Sequence, residues 1–462
     1  MPGLKKATSP RKQSPELPII GDYLPKNPPF FLIFILAFAV MIFTGAILLW
    51  TPQASVSGET TSFVDALFTS ASAISCTGLT VLDTLTHWSF FGQVVILVLI
   101  QLGGFGFMLI SAYLLIVFGR HLNLLDFRFS NALDISSRPE YIKFTLQTIA
   151  ITVLFEGVGI LLMHYRFSSI APSDDVLWNS VFHSISAFNN AGFNIFSEDM
   201  AKGLYADNFL LFTISGLVIL GGMSAPVIIN VLIHRRWKSL NLNSKIAITF
   251  TFGLLLVGIL GIFFMEYCNQ DSLGPLSVPQ KMVNAFFYST SARTAGFSSL
   301  NVGGFGFQAL ALLMALMFIG GVAGSTAGGV KVNTFATLVL TVRSYIMGDS
   351  RVHAFRKQIP EGRVHEAITV VVLFVLLLGL SVFILTFTEN ITGIDLIFES
   401  FSAFSTVGLS TGITSSLSVA GRLILALSMF IGRLGPLTVV LAISERRRVV
   451  EFPEPEESVR VW

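Results

Sequence analysis

The sequence predicts an all-α integral membrane protein. It reads as eight transmembrane helices in four tandem span–re-entrant pore loop–span repeats, set with pseudo-fourfold symmetry around a central pore. Three observations predict this. Hydrophobic residues are 53% of the 462 and charged residues 12%, about half the ~25% usual in soluble domains. Mean hydropathy is +0.75, and the aromatic content is greasy, with 43 Phe against 8 Tyr and 5 Trp. A soluble fold is excluded, because a chain this long would need far more polar surface to stay dissolved. Finally, the apolar residues lie in membrane-length runs, and one short motif recurs between them.

Eight runs reach the ~20 residues that a spanning helix requires. They are 29–50, 89–119, 142–164, 208–234, 246–267, 307–342, 366–388 and 420–443. Charge orients them. Most Lys and Arg fall on alternate connections: Lys5, Lys6, Arg11, Lys12 and Lys26, then Arg120 to Lys143, Arg235 to Lys245, Lys331 to Arg363, and Arg446 to Arg460. The opposite connections hold Arg166, Lys202, Lys281 and Arg293, together with many carboxylates such as Glu59, Asp65, Asp83, Asp174, Asp175, Glu198, Asp199, Glu389, Asp395 and Glu399. The positive-inside rule therefore predicts both termini in the cytoplasm, and an acidic outer face would concentrate cations. No signal-peptide pattern precedes the first run. The expected division is a cytoplasmic tail at 1–28, repeats at 29–120, 121–238, 239–347 and 348–446, and a second cytoplasmic tail at 447–462.

After each odd-numbered run comes a moderately apolar stretch of about ten residues, too short to cross and able only to dip in and return. The stretches read FTSASAISCTGL (68–79), FHSISAFNNAGF (182–193), FFYSTSARTAGF (286–297) and FESFSAFSTVGL (398–409). Anchored on Gly78, Gly192, Gly296 and Gly408, they share a Phe column (Phe68, Phe182, Phe286, Phe398) and a hydroxyl column (Ser72, Ser186, Thr290, Ser402). Such columns at a fixed period mark an internal repeat. A glycine allows the positive φ that a sharp turn needs. Four such turns around one axis would form a ring of carbonyl oxygens that replaces the hydration shell of an alkali cation, with the negative helix ends aimed at it. The candidate filter is Cys76, Thr77 and Gly78; Asn190, Ala191 and Gly192; Thr294, Ala295 and Gly296; and Thr406, Val407 and Gly408. These columns hold no His or carboxylate cluster, which disfavours a transition-metal pathway. The two cysteines, Cys76 and Cys268, build neither a disulfide framework nor a multi-Cys zinc site.

Four span–loop–span units in one chain, each with a single filter glycine, resemble the Trk/Ktr/HKT superfamily of potassium transporters, most closely its KtrB branch, the bacterial Ktr membrane subunit. The resemblance covers residues 29–448. It implies potassium uptake across the bacterial inner membrane, often sodium-stimulated, with K+ as the substrate ion, Na+ as a possible activator and no organic cofactor in this chain. It also implies a homodimer with one pore per subunit and a cytosolic ring of KtrA-type RCK subunits that bind ATP or ADP. In plant relatives a serine at the first filter position accompanies sodium selectivity; the four glycines here favour potassium. Nucleic acid is not an expected partner.

The sixth run breaks its own helix. Residues 320–329 read GGVAGSTAGG, with Gly320, Gly321, Gly324, Ser325, Thr326, Gly328 and Gly329, and each interior glycine costs a helix up to ~1 kcal/mol. A phosphate-binding loop is excluded, since Gly329 is followed by Val330 and Lys331 and no strand precedes it. The alternatives are glycine-mediated helix packing and a broken, pore-lining helix; by resemblance the segment is an intramembrane loop that gates the pore. Arg433 falls near the middle of the eighth run, and an intramembrane arginine is a functional candidate. The resemblance places an arginine below the filter. Glu156 is a second buried charge, without an evident partner. Arg293 is expected to tie a pore helix rather than meet ions. A membrane enzyme would want a nucleophile–base pair or metal cluster, and His164 and His183 are isolated in the sequence. A coupled transporter with alternating access stands as the other reading.

Overall fold

A computed structural model describes residues 30–118, 138–170, 175–196, 203–349, 351–391 and 393–435. Both expected tails lie outside these residues, as do Arg120, Arg128, Asp174, Glu198, Asp199, Lys202, Arg446 to Arg448 and the end of the eighth run.

The chain is helical almost throughout. In order come α1 (Phe30–Trp50), α2 (Phe63–Ile74), α3 (Phe90–Phe118), α4 (Arg138–Ile170), α5 (Val176–Phe188), α6 (Asn208–Gly222) and α7 (Ala225–His234). Then follow α8 (Leu242–Glu266), α9 (Val278–Ser291), α10 (Phe307–Phe318), α11 (Val332–Ile346), α12 (Glu361–Thr388), α13 (Ile394–Phe404) and α14 (Val419–Leu434). A two-residue hairpin pairs His353–Ala354 with Lys357–Gln358 before α12. Among the described residues, Thr145–Ile170, Leu242–Glu266 and Glu361–Thr388 are long and apolar enough to cross a membrane, with the bent pair α6–α7 as a fourth.

Polarity is inverted relative to a soluble domain. Phe264, Leu161 and Phe387 are among the most exposed side chains, while Ser72, Ser186, Ser289 and Ser402 are fully buried. A greasy exterior around a hydroxyl-lined interior suits a hydrocarbon solvent.

The same contact builds three of the units. Ser70 Oγ donates to Ile42 O at 2.7 Å, Ser184 Oγ to Glu156 O at 2.7 Å and Ser289 Oγ to Leu255 O at 2.8 Å. Three residues after each acceptor stands a glycine, Gly45, Gly159 or Gly258, where a Cβ would collide with that serine hydroxyl. The long and short helices can therefore touch backbone to side chain. This contact corrects the alignment of the third unit. Ser289 lies seven residues before its glycine, whereas Ser70 and Ser184 lie eight before theirs. Phe287, not Phe286, is then the deeply buried aromatic, and Ser291, not Thr290, takes the hydroxyl place. Ser291 Oγ donates to Phe297 O at 2.5 Å, as Ser186 Oγ does to Phe193 O at 2.6 Å. The helix packing fixes this register, and the turn after α9 closes one residue sooner, Ala295 N donating to Ser291 O at 2.9 Å.

The fourth run is not one continuous helix. α6 and α7 meet at 94°. Pro226 stands in the first turn of α7, where its missing N–H is harmless but would break a continuing helix. In the sixth run one helix ends at Phe318 and the next begins at Val332. Its connection folds out and back, with Gly320 N donating to Val330 O at 3.0 Å and Val330 N to Phe318 O at 3.1 Å.

Candidate functional site

Four short helices, α2, α5, α9 and α13, each end just before one of the recurring glycines. The backbone then repeats one pattern. Cys76, Asn190, Thr294 and Thr406 have φ of 52°, 55°, 75° and 51°, and Gly78, Gly192, Gly296 and Gly408 have φ of 91°, 71°, 73° and 95°. A left-handed residue thus stands two before each glycine and another at the glycine itself. For the four non-glycine residues this conformation is uncommon and costs on the order of 1–3 kcal/mol, so the surrounding structure must enforce it. The enforcing contacts are visible. Thr77 N donates to Ser72 O at 2.9 Å, Ala191 N to Ser186 O at 2.8 Å and Val407 N to Ser402 O at 2.8 Å. Gly78 N and Gly408 N donate to the Ser72 and Ser402 hydroxyls at 3.1 and 3.0 Å.

The four loops close into a ring. A Cβ on Gly78 would lie 2.5 Å from Ala191 O, and one on Gly192 would lie 2.8 Å from Ala295 O. One on Gly296 would strike Val407 O, and one on Gly408 would strike Thr77 O, which returns to the first loop. Each glycine is needed twice, for its φ and because its neighbour's carbonyl occupies the space of a side chain. All twelve candidate filter residues are thereby brought together. Thr77, Ala191, Ala295 and Val407, whose carbonyls line this ring, are buried to 0% exposure.

The segment 320–329 lies against the ring. A Cβ at Gly328 would collide with Thr406 Oγ1, and one at Gly320 would lie 3.2 Å from Thr294 Cγ2. Thr326 Oγ1 donates to Phe188 O at 3.3 Å, and Thr326 N to Gly221 O at 3.3 Å. Gly324 and Gly329 take φ of 79° and 66°, as the tight reversal requires. Three cations hold the segment. Arg433 donates from Nη1 to Thr326 O and from Nη2 to Gly103 O, and its Nη2 also lies 3.6 Å from Cys76 Sγ. Arg293 donates to Gly320 O at 3.2 Å and to Thr251 O at 3.4 Å. Lys331 Nζ donates to Ala327 O at 2.6 Å. Arg433 occupies the last turn of α14 as described, not a mid-helix position. Carbonyls left unpaired by a broken helix attract strong donors of this kind.

Glu156 gains partners that its sequence neighbours did not reveal. Its Oε1 accepts from Asn189 Nδ2 at 2.9 Å and its Oε2 from Gln101 Nε2 at 3.3 Å. Asn189 precedes the left-handed Asn190, so this carboxylate braces the second glycine loop. Lys331 was legible only as a residue after a glycine run. Arg422 was hidden inside an apolar run; its Nη1 lies 2.6 Å from Asp65 Oδ1 and joins α14 to α2. An arginine at the polar end of a predicted span is the signal that would have flagged it.

Comparison with known proteins gives one answer. The family described as TrkH, cation transport protein, matches residues 26–451. The chain is 34% identical over 423 residues to the Ktr system potassium uptake protein B of Bacillus subtilis, covering 91% of this chain and 94% of that protein. It is 35% identical over 429 residues to the potassium/sodium uptake protein NtpJ of Enterococcus hirae, covering 91% and 95%. The crystal structure of the potassium transporter TrkH from Vibrio parahaemolyticus superposes with a TM-score of 0.71 at 18% identity, over 91% of this chain and 85% of that one. That likeness shows the same fold.

Proposed function

Because the chain belongs to the TrkH family of cation transport proteins and is a transporter rather than an enzyme, we propose that it takes up potassium through the ring of four glycine loops. The closed ring carries this reading. Four loops of one backbone conformation, each presenting a carbonyl beside the preceding loop's glycine, suit a bare alkali cation. On this reading the four units are span–loop–span repeats in an eight-span bundle, with the broken fourth and sixth spans completing the count. The termini are cytoplasmic and the membrane is the bacterial inner membrane.

The finer points rest on the relatives. The name Ktr system potassium uptake protein B implies a further component, and the reading takes it to be a cytosolic, nucleotide-binding RCK ring responding to ATP or ADP, on which this chain sits as a homodimer. The segment 320–329, held by Arg433, Arg293 and Lys331, is the gate that this ring would move. The name of the Enterococcus relative joins sodium to potassium, which supports sodium as a second ion of the cycle.

Uptake of radioactive rubidium into sealed vesicles containing the purified chain tests the reading. Uptake that potassium competes away is expected, and sodium outside should raise it. Vesicles with folded protein and no flux above protein-free controls would overturn it.

A further inference from the structure

We propose that three unlike side chains at one repeated position, His183, Tyr288 and Glu399, are positioning residues that hold the chain leaving each glycine and thereby set cation discrimination. The proposal rests on reading the glycine ring as the filter. The register of the short helices defines the position. Ser70, Ser184, Ser289 and Ser400 are equivalent, and the residues just before them are Thr69, His183, Tyr288 and Glu399, all at most 1% exposed.

Each of the last three reaches the segment beyond its own glycine by different chemistry. His183 Nδ1 faces Asn179 O at 2.8 Å, so it carries the proton, and Nε2 accepts from Ile195 N at 3.1 Å. The hydroxyl of Tyr288 donates to Leu300 O and accepts from Leu300 N, both at 2.7 Å. Glu399 accepts from Ser410 Oγ, and from Thr414 Oγ1 at 3.1 Å. In the first unit the Thr69 hydroxyl has no partner among the described residues. Three loops are therefore tied from behind and the first is not tied at this position.

Where a carbonyl ring selects ions by fit, it discriminates between radii to the extent that its oxygens resist moving to follow them. The left-handed residues of each loop can relax unless both ends are held. The helix holds one end, and these side chains hold the other. Removing one leaves a buried backbone or hydroxyl group unpaired, which weakens the hold without touching the ion.

The test compares variants of the full chain in phosphatidylethanolamine–phosphatidylglycerol vesicles, reading inhibition of rubidium uptake by potassium and by sodium. Tyr288→Phe and Glu399→Ala should lower the preference for potassium over sodium about fivefold, equivalent to ~1 kcal/mol. Glu399→Gln, which can still bond both hydroxyls, should retain most of it, and Thr69→Val should leave it unchanged. If Glu399→Ala does not insert, Tyr288→Phe, which deletes a single oxygen, decides the matter. An unaltered preference in folded Tyr288→Phe overturns the proposal, as does an equal loss in Thr69→Val. Gly408→Ser is measured alongside. If it alone lowers the preference, the filter reading stands and the positioning role falls. If it too changes nothing, the filter reading falls with it.

Discussion

Arg433 makes three contacts that link separate parts of the molecule: the Thr326 carbonyl in the broken span, the Gly103 carbonyl in α3, and Cys76 in the first loop. Removing its guanidinium frees the segment 320–329 from one of its three cationic holds. Hydrogen bonds from a charged donor are worth about 1.5–3 kcal/mol each. Arg433→Ala should therefore raise rubidium uptake per folded protein, by roughly tenfold if one such bond separates closed from open. An arginine that serves only to hold the fold gives the opposite outcome, protein that fails to insert or assemble. Size-exclusion elution measured with uptake separates the two. The residues that carry this argument were partly legible. Arg433 stood out as a charge in an apolar run, and the glycines by their spacing. The partner of Glu156 did not, because Gln101 and Asn189 are distant in sequence and meet only when α3, α4 and α5 pack.

At the scale of elements, the segment 319–331 is a loop of backbone whose ends pair in parallel at Ile319 and Val330, lodged against the glycine ring rather than a helix. One bridge, with bonds from Gly320 to Val330 and from Val330 to Phe318, ties its two ends without intrahelical bonds. It can then be shortened without unravelling α10 or α11. If the segment is the gate proposed above, deleting 322–328 should raise flux and reduce dependence on the proposed cytosolic partner. Adding Arg433→Ala to the deletion should give little further increase, since both changes remove one barrier. Additive increases measured in the double variant would place the arginine's effect elsewhere. The break itself was readable from five glycines in ten residues. The bend between α6 and α7 was readable only in retrospect, from Pro226. The one-residue slip in α9 was readable in the pattern Phe-x-Ser-x-Ser-Ala, which begins at Phe68, Phe182, Phe287 and Phe398, but anchoring the comparison on the glycine hid it. Gly296 anchors the sequence comparison, but the contact between Ser289 and Leu255 decides the register.

The whole molecule is a ring closed on itself. The glycine loops contact one another in the order first, second, third, fourth and back to first, and the Arg422–Asp65 pair joins the last helix to the first short helix. Carboxylates repeat a second role at the start of the helices that follow the second, third and fourth loops. Glu266 accepts from Gly306 N at 2.9 Å, Glu389 from Ser418 N at 3.0 Å, and Asp207 from Leu210 N at 3.1 Å. Asp207, Glu266 and Glu389 are thus engaged at helix N-termini, where negative charge is favoured, rather than free to attract cations. Such architecture makes sense if the axis is where the ion passes, and diffraction can observe that directly. Crystals grown in rubidium, with anomalous data collected at the rubidium edge, should show a peak on the axis bounded by the carbonyl oxygens of Thr77, Ala191, Ala295 and Val407. Anomalous density found only elsewhere, beside Glu156 for instance, with the ring empty at saturating rubidium, would contradict conduction through the four glycine loops.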